Sequence, residues 1–112
     1  MYTPKVGEKI ETSKLGCREF NPNETLQTLR AYGGTDFWCW GADNFVQDKN
    51  IFLRFEVTGL KHKGFVFITL SGMDLYDAVL TNRDGIITEV VTDMYFDDLF
   101  SRLDHYIERD RR

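Results

Sequence analysis

The chain predicts an α+β domain: an antiparallel meander sheet of about five strands, with an N-terminal and a C-terminal helix packed on one face. Three observations carry this. A capped amphipathic run follows residue 20, alternating apolar runs broken by turn residues fill 51 to 94, and a second amphipathic run closes the chain. With 112 residues, no repeat and no Pro/Gly/Ser linker, residues 1–112 read as a single domain. Nine Phe, five Tyr and two Trp supply bulk for one core without a disulfide or structural metal.

Residues 1–20 are polar and weakly patterned, and they either add an edge strand or remain partly mobile. The first clear element lies in NPNETLQTLRAYGG. Asn21 is a good N-cap, Pro22 takes the first helical position and Glu24 completes a capping box. Leu26, Leu29 and Tyr32 recur at helical spacing, and Gly33-Gly34 ends the run. At about three turns, such a helix depends on docking its apolar stripe.

DFWCW is read next as a strand that ends at Gly41. Residues two apart on a strand share a face, so Trp38 and Trp40 are expected to point together, with Phe37 and Cys39 on the other side. The bulk of the indoles assigns the pair to the helix-covered face, with Phe37 opposite. The alternative, with Phe37 and Cys39 in the core, makes the tryptophans an exposed contact patch.

IFLRFEV places Ile51, Leu53, Phe55 and Val57 on one face and Phe52, Arg54 and Glu56 on the other. FVFITL sets Val66, Ile68 and Leu70 against Phe65, Phe67 and Thr69. LYDAVLTNRDGIITEVV reads as a hairpin turning at NRDG, with Tyr76, Ala78 and Leu80 alternating against Asp77, Val79 and Thr81. Its return strand puts Ile86, Val90 and Met94 on one face and Ile87, Glu89, Val91 and Asp93 on the other. The closing helix, from about Met94 to Arg109, carries Phe96, Leu99, Phe100, Leu103 and Ile107 in one stripe. Asp97, Asp98 and Asp104 fall outside that stripe.

Charge is unevenly spread. The net charge of −4 includes a segment from Asp74 to Asp98 with seven acids against Arg83 alone, a net of −6 there. No basic stripe exists to neutralise phosphate, so direct duplex nucleic-acid binding is not expected, and RDRR at Arg109 to Arg112 reads as a solvated tail. No apolar run reaches the ~18 residues of a membrane span, and the N-terminus lacks a signal-peptide core, so the expected location is cytoplasmic. Cys17 and Cys39, without CxxC spacing, fit a reduced pair.

Known chemistries find little purchase. Two histidines, His62 in LKHKG and His105 on the closing helix, with no HExxH or CxxC, make neither a metal nor a cofactor site. LSGMD is not a GxSxG elbow, and AYGGTDF lacks the Lys-Ser/Thr of a phosphate loop. Asp74 and Asp77 flank Tyr76, yet one polar strand face supplies such acids without any catalytic purpose. No catalytic residue is assigned. The candidate partner or ligand contacts are Trp38, Trp40, Asp74, Asp77, Asp97 and Asp98.

At GADNF (Gly41 to Phe45) and ITLSGMDLYDAVL (Ile68 to Leu80) the sequence resembles short, uncharacterised proteins of bacteriophages and conjugative elements of bacteria, over about residues 24–82. The resemblance implies a bacterial, intracellular accessory role and transfers no catalytic residue. The leading expectation is therefore a small non-enzymatic protein that contacts another protein, in an oligomeric state the sequence leaves open. Two alternatives stay in view: an acidic inhibitor or nucleic-acid mimic occupying a partner's basic groove, and a small-ligand-binding domain built on Trp38, Trp40 and the acids Asp74 to Asp77.

Overall fold

The computed structural model describes residues 3–15, 19–48, 51–59, 61–71 and 74–107. After a 3-10 turn at Thr12–Lys14 come helices α1 (Pro22–Gly33) and α2 (Thr35–Cys39). Strands β1 (Asp43–Asp48), β2 (Phe52–Thr58), β3 (Lys63–Leu70), β4 (Tyr76–Thr81) and β5 (Ile87–Met94) follow, and α3 (Leu99–Ile107) ends the described chain. The five strands form one antiparallel sheet in the order β1-β2-β3-β4-β5. It is the expected α+β meander, but its first strand is Asp43–Asp48, where the sequence suggests turn and loop, and DFWCW, expected as that strand, lies in an additional helix.

The main core lies between the helices and one sheet face. Leu53, Phe55 and Val57 of β2, Val66 and Ile68 of β3, and Ala78 and Leu80 of β4 meet Leu29, Trp40, Leu99, Phe100, Leu103 and Ile107 there. The period-2 reading of β2 to β4 holds because β2, β3 and β4 pair in unbroken register, which keeps successive side chains on alternate faces. A smaller cluster on the opposite face joins Phe52, Phe67, Val79 and Ile87 with Leu15, and Ile10 and Ile51 pack against it. Ile51 therefore sides with Phe52 and not with Leu53, since the strand begins only at Phe52.

Ile10 and Leu15 pack into that second cluster, and Gly7 to Ile10 touch the edge of the sheet at β5. Gly7 N–H donates to Ile87 O, Ile87 N–H to Glu8 O and Ile10 N–H to Gly85 O, with a single bridge between Lys9 and Ile86.

In α1 the Asn21 side chain caps the helix by accepting from Asn23 N–H at 3.0 Å. The docked stripe is Pro22, Thr25, Leu29 and Gly33, with Leu26 half-buried. Tyr32, expected within it, is exposed and stands edge-to-face with Phe96. The Thr25 hydroxyl donates to the Tyr76 hydroxyl at 3.1 Å, tying α1 to β4. Gly33 lies so close to the Phe100 ring that a side chain there would overlap it.

Four further expectations are corrected. In β5, Val91 and Met94 enter the main core while Ile87 and Val90 pack on the opposite face. Register shifts opposite Leu80/Thr81 and Tyr76/Ala78 break the alternation, and Asp93 adopts φ 59° at the second of these. Helix α3 begins at Leu99, not Met94. A turn closed by Asp98 N–H on Tyr95 O precedes it and leaves Phe96 exposed rather than docked. Asp104, expected on the outer side, is buried. Among the described residues no helix is long and apolar enough to cross a membrane. Cys17 and the Arg109 to Arg112 tail lie outside the described residues.

Candidate functional site: the groove between α2 and β1

The two tryptophans part company because DFWCW is helical. Gly34 reverses the chain after α1, at φ 53° and ψ −129°, and Thr35–Cys39 winds through little more than one turn. On a helix residues three apart share a face, so Phe37 and Trp40 turn inward together and Trp38 turns out. Trp40 is 0% exposed and Trp38 82% exposed. The expected shared burial of the pair, with Phe37 opposite, is thus overturned.

Trp40 is fixed from several sides. Its ring stacks on Phe100 with centroids 4.8 Å apart and lies parallel to Phe55 at 6.4 Å. Its Nε1–H donates to Asp104 Oδ1 at 2.9 Å, which gives the buried carboxylate a strong donor and explains why an acid is tolerated there. Trp40 O then accepts from Thr58 N–H at 2.7 Å, pinning the end of α2 to the end of β2. Gly41, at φ 62°, makes the exit. A Cβ there would collide with the Thr58 hydroxyl, so this tight junction requires glycine.

The chain then enters β1 through a bulge. Asn44 takes φ 55°, the pairing with β2 shifts between Asp43 and Val46, and Asn44 Nδ2 donates to Glu56 Oε1 at 2.9 Å. Phe45 next reaches the helix side of the sheet, its ring 5.5 Å from that of Phe55, yet no helix covers it. A groove of ≈ 590 Å³ results, lined by Phe37, Trp38, Ala42 and Phe45 with Arg30 and Asp43 among its polar margins. Its size falls in the range of sites that hold a drug-sized ligand or a few side chains.

Of the sequence candidates, only Trp38 lines this groove. Trp40 is core. Asp77 Oδ1 is occupied by Asp93 N–H at 3.0 Å and so stabilises the bulge in β5. Asp74 sits in a turn at φ 62°, its N–H donating to Ser71 O. Asp97 is exposed in the turn before α3, and Asp98 holds a buried Oδ1 without a hydrogen-bond partner. Arg30, Phe37, Ala42 and Phe45 were not among the candidates. For Ala42 and Phe45 the signal was GADNF itself, a glycine and a turn-forming pair set between aromatics; Arg30 and Phe37 carried none.

A second, smaller cavity of ≈ 320 Å³ is polar and lies where the β2–β3 turn meets Asn82, Thr88, Glu89 and Tyr106. Lys61 Nζ on its margin is already bound to His105 O at 2.9 Å. Burial holds His62 below the ordinary imidazole range, offset in part by hydrogen bonds to the backbone of Phe65 and Thr81. Among the described residues no group of three His, Cys, Asp or Glu is placed to hold a metal ion. No protein-family model, curated protein or solved structure matches the chain.

Proposed function

We propose that the chain is a small non-enzymatic interaction protein that grips another protein through the α2–β1 groove. The observation that carries this is Trp38, an indole 82% exposed on the wall of an apolar groove. Leaving so large an apolar side chain in water stabilises nothing in the isolated chain, whereas exposed apolar patches and half-buried Trp recur where partners dock. The resemblance of GADNF and ITLSGMDLYDAVL to phage and conjugative-element proteins supplies the context, an accessory protein of a bacterial mobile element acting in the cytoplasm. The test is capture from the native host by the whole chain and by Trp38→Ala. The expected result is a protein retained by the first and lost by the second; equal retention by both sinks the reading.

A second reading has its own support. Asp84 in the β4–β5 turn and Asp74, Asp93 and Asp97 at the open end of that hairpin are all exposed, on the side of the sheet away from β1. Such a hairpin suits an acidic mimic that occupies a basic groove of a nucleic-acid-binding protein. Reversal of two of these charges (Asp84→Lys with Asp93→Lys) should then abolish capture while Trp38→Ala spares it.

A further inference from the structure

We infer that β1 and the groove beside it take an extended segment of another protein as a sixth strand, with a large apolar side chain in the groove and a carboxylate on Arg30. This rests on the interaction reading above and names the partner's chemistry.

The backbone comes first. β1 has β2 on one side only, and no backbone group of the described residues outside the sheet hydrogen-bonds to it. The opposite edge is engaged near both ends, where Gly7, Glu8 and Ile10 bond to Gly85 and Ile87 and Arg102 donates to Asp93 O. An unpaired strand edge is a template for strand addition. The bulge at Asn44 limits the usable stretch to Phe45 onward, so a short segment fits and a long pairing does not.

Side chains beside this edge suit an added strand on both faces. Phe45 is 38% exposed and Val46 42% exposed, and successive strand residues point to opposite faces. Alternate side chains of an incoming segment would meet Phe45 and the Trp38 wall on the helix side and Val46 on the other.

Charge then selects the occupant. Asp43 Oδ1 is engaged by Asn44 N–H at 2.8 Å, and Asp36 also has a partner. Among the described residues Arg30 makes no ion pair, so its guanidinium is open to a carboxylate at the groove's margin. A carboxylate is its natural complement.

Selection of random displayed peptides on the whole chain tests the inference. Enriched peptides should combine a large apolar residue with a nearby acid and protect the amides of Phe45 to Asp48 from hydrogen exchange. Their affinity should fall roughly tenfold or more for Trp38→Ala and for Arg30→Glu. Peptides that bind through Trp38 as helices, with no protection along β1, would overturn strand addition and leave the interaction reading standing. Trp38-dependent binding unaffected by Arg30→Glu would overturn the carboxylate. No enrichment, or equal binding to Trp38→Ala, would overturn both inference and reading. A Trp38-dependent dimer in sedimentation would give the groove to a second copy.

Discussion

Around Trp40, Phe37, Phe55 and Phe100 close on the indole and Asp104 takes its one polar hydrogen. Around Trp38, two residues earlier, α2 and β1 stand apart and leave a groove. The same side-chain type serves as the keystone of a core in one place and as an exposed wall in the other. Nothing in residue chemistry separates them. A single helical turn does, by directing positions 37 and 40 inward and position 38 out.

That contrast can be broken or sharpened by experiment. Trp40→Ala should lower the unfolding free energy by about 3–5 kcal/mol, read from urea unfolding. A loss under about 1 kcal/mol would place the indole outside the core. Trp40→Phe keeps much of the ring stack but removes the donor to Asp104, and should cost about 1–3 kcal/mol.

His62 offers a smaller, pH-dependent effect. Its folded pKa lies below the ordinary value of 6.5, so the unfolded chain binds the proton more readily. Its contribution is therefore fully present above 6.5 and declines as pH falls through 6.5 towards the folded pKa. His62→Gln should flatten that part of the stability–pH profile, and an unchanged slope would show that other groups set it.

Trp38→Ala should move stability by no more than about 0.5 kcal/mol. The remaining Trp40 emission should be blue-shifted and resist iodide, whereas in the parent chain the Trp38 component is readily quenched. Two equally shielded tryptophans would restore the shared burial expected of a strand.

Much of the fold was legible because it rests on local signals. Asn21-Pro22 starts α1, and the alternation in IFLRFEV and FVFITL orients β2 and β3 without knowledge of their neighbours. The misreadings share a cause. DFWCW is five residues long and, after Asp36, apolar at four successive positions, so neither period can assert itself, and the reversal at Gly34 and the junction at Gly41 force a helix. Phe96 falls in phase with the stripe of α3, yet the turn at Tyr95 breaks the phase before the helix begins. Asp104 looks like a surface acid until Trp40, 64 residues away in sequence, is brought against it. The groove was hidden for the same reason, since its walls belong to elements whose spacing is a tertiary property.

The order of the strands has a consequence in time. Each strand pairs with the one synthesised just before it, from β1 through β5, so pairing can spread by successive short loop closures, each with a small entropic cost. The contacts that join distant parts of the chain lie outside the sheet ladder: α1 meets α3, Trp40 meets Phe100 and Asp104, and Gly7 to Ile10 meet Gly85 to Ile87. The sheet can thus assemble first and the two helices clamp down late. Leu103→Ala, at the centre of that clamp, should then accelerate unfolding and leave the refolding rate nearly untouched in stopped-flow traces.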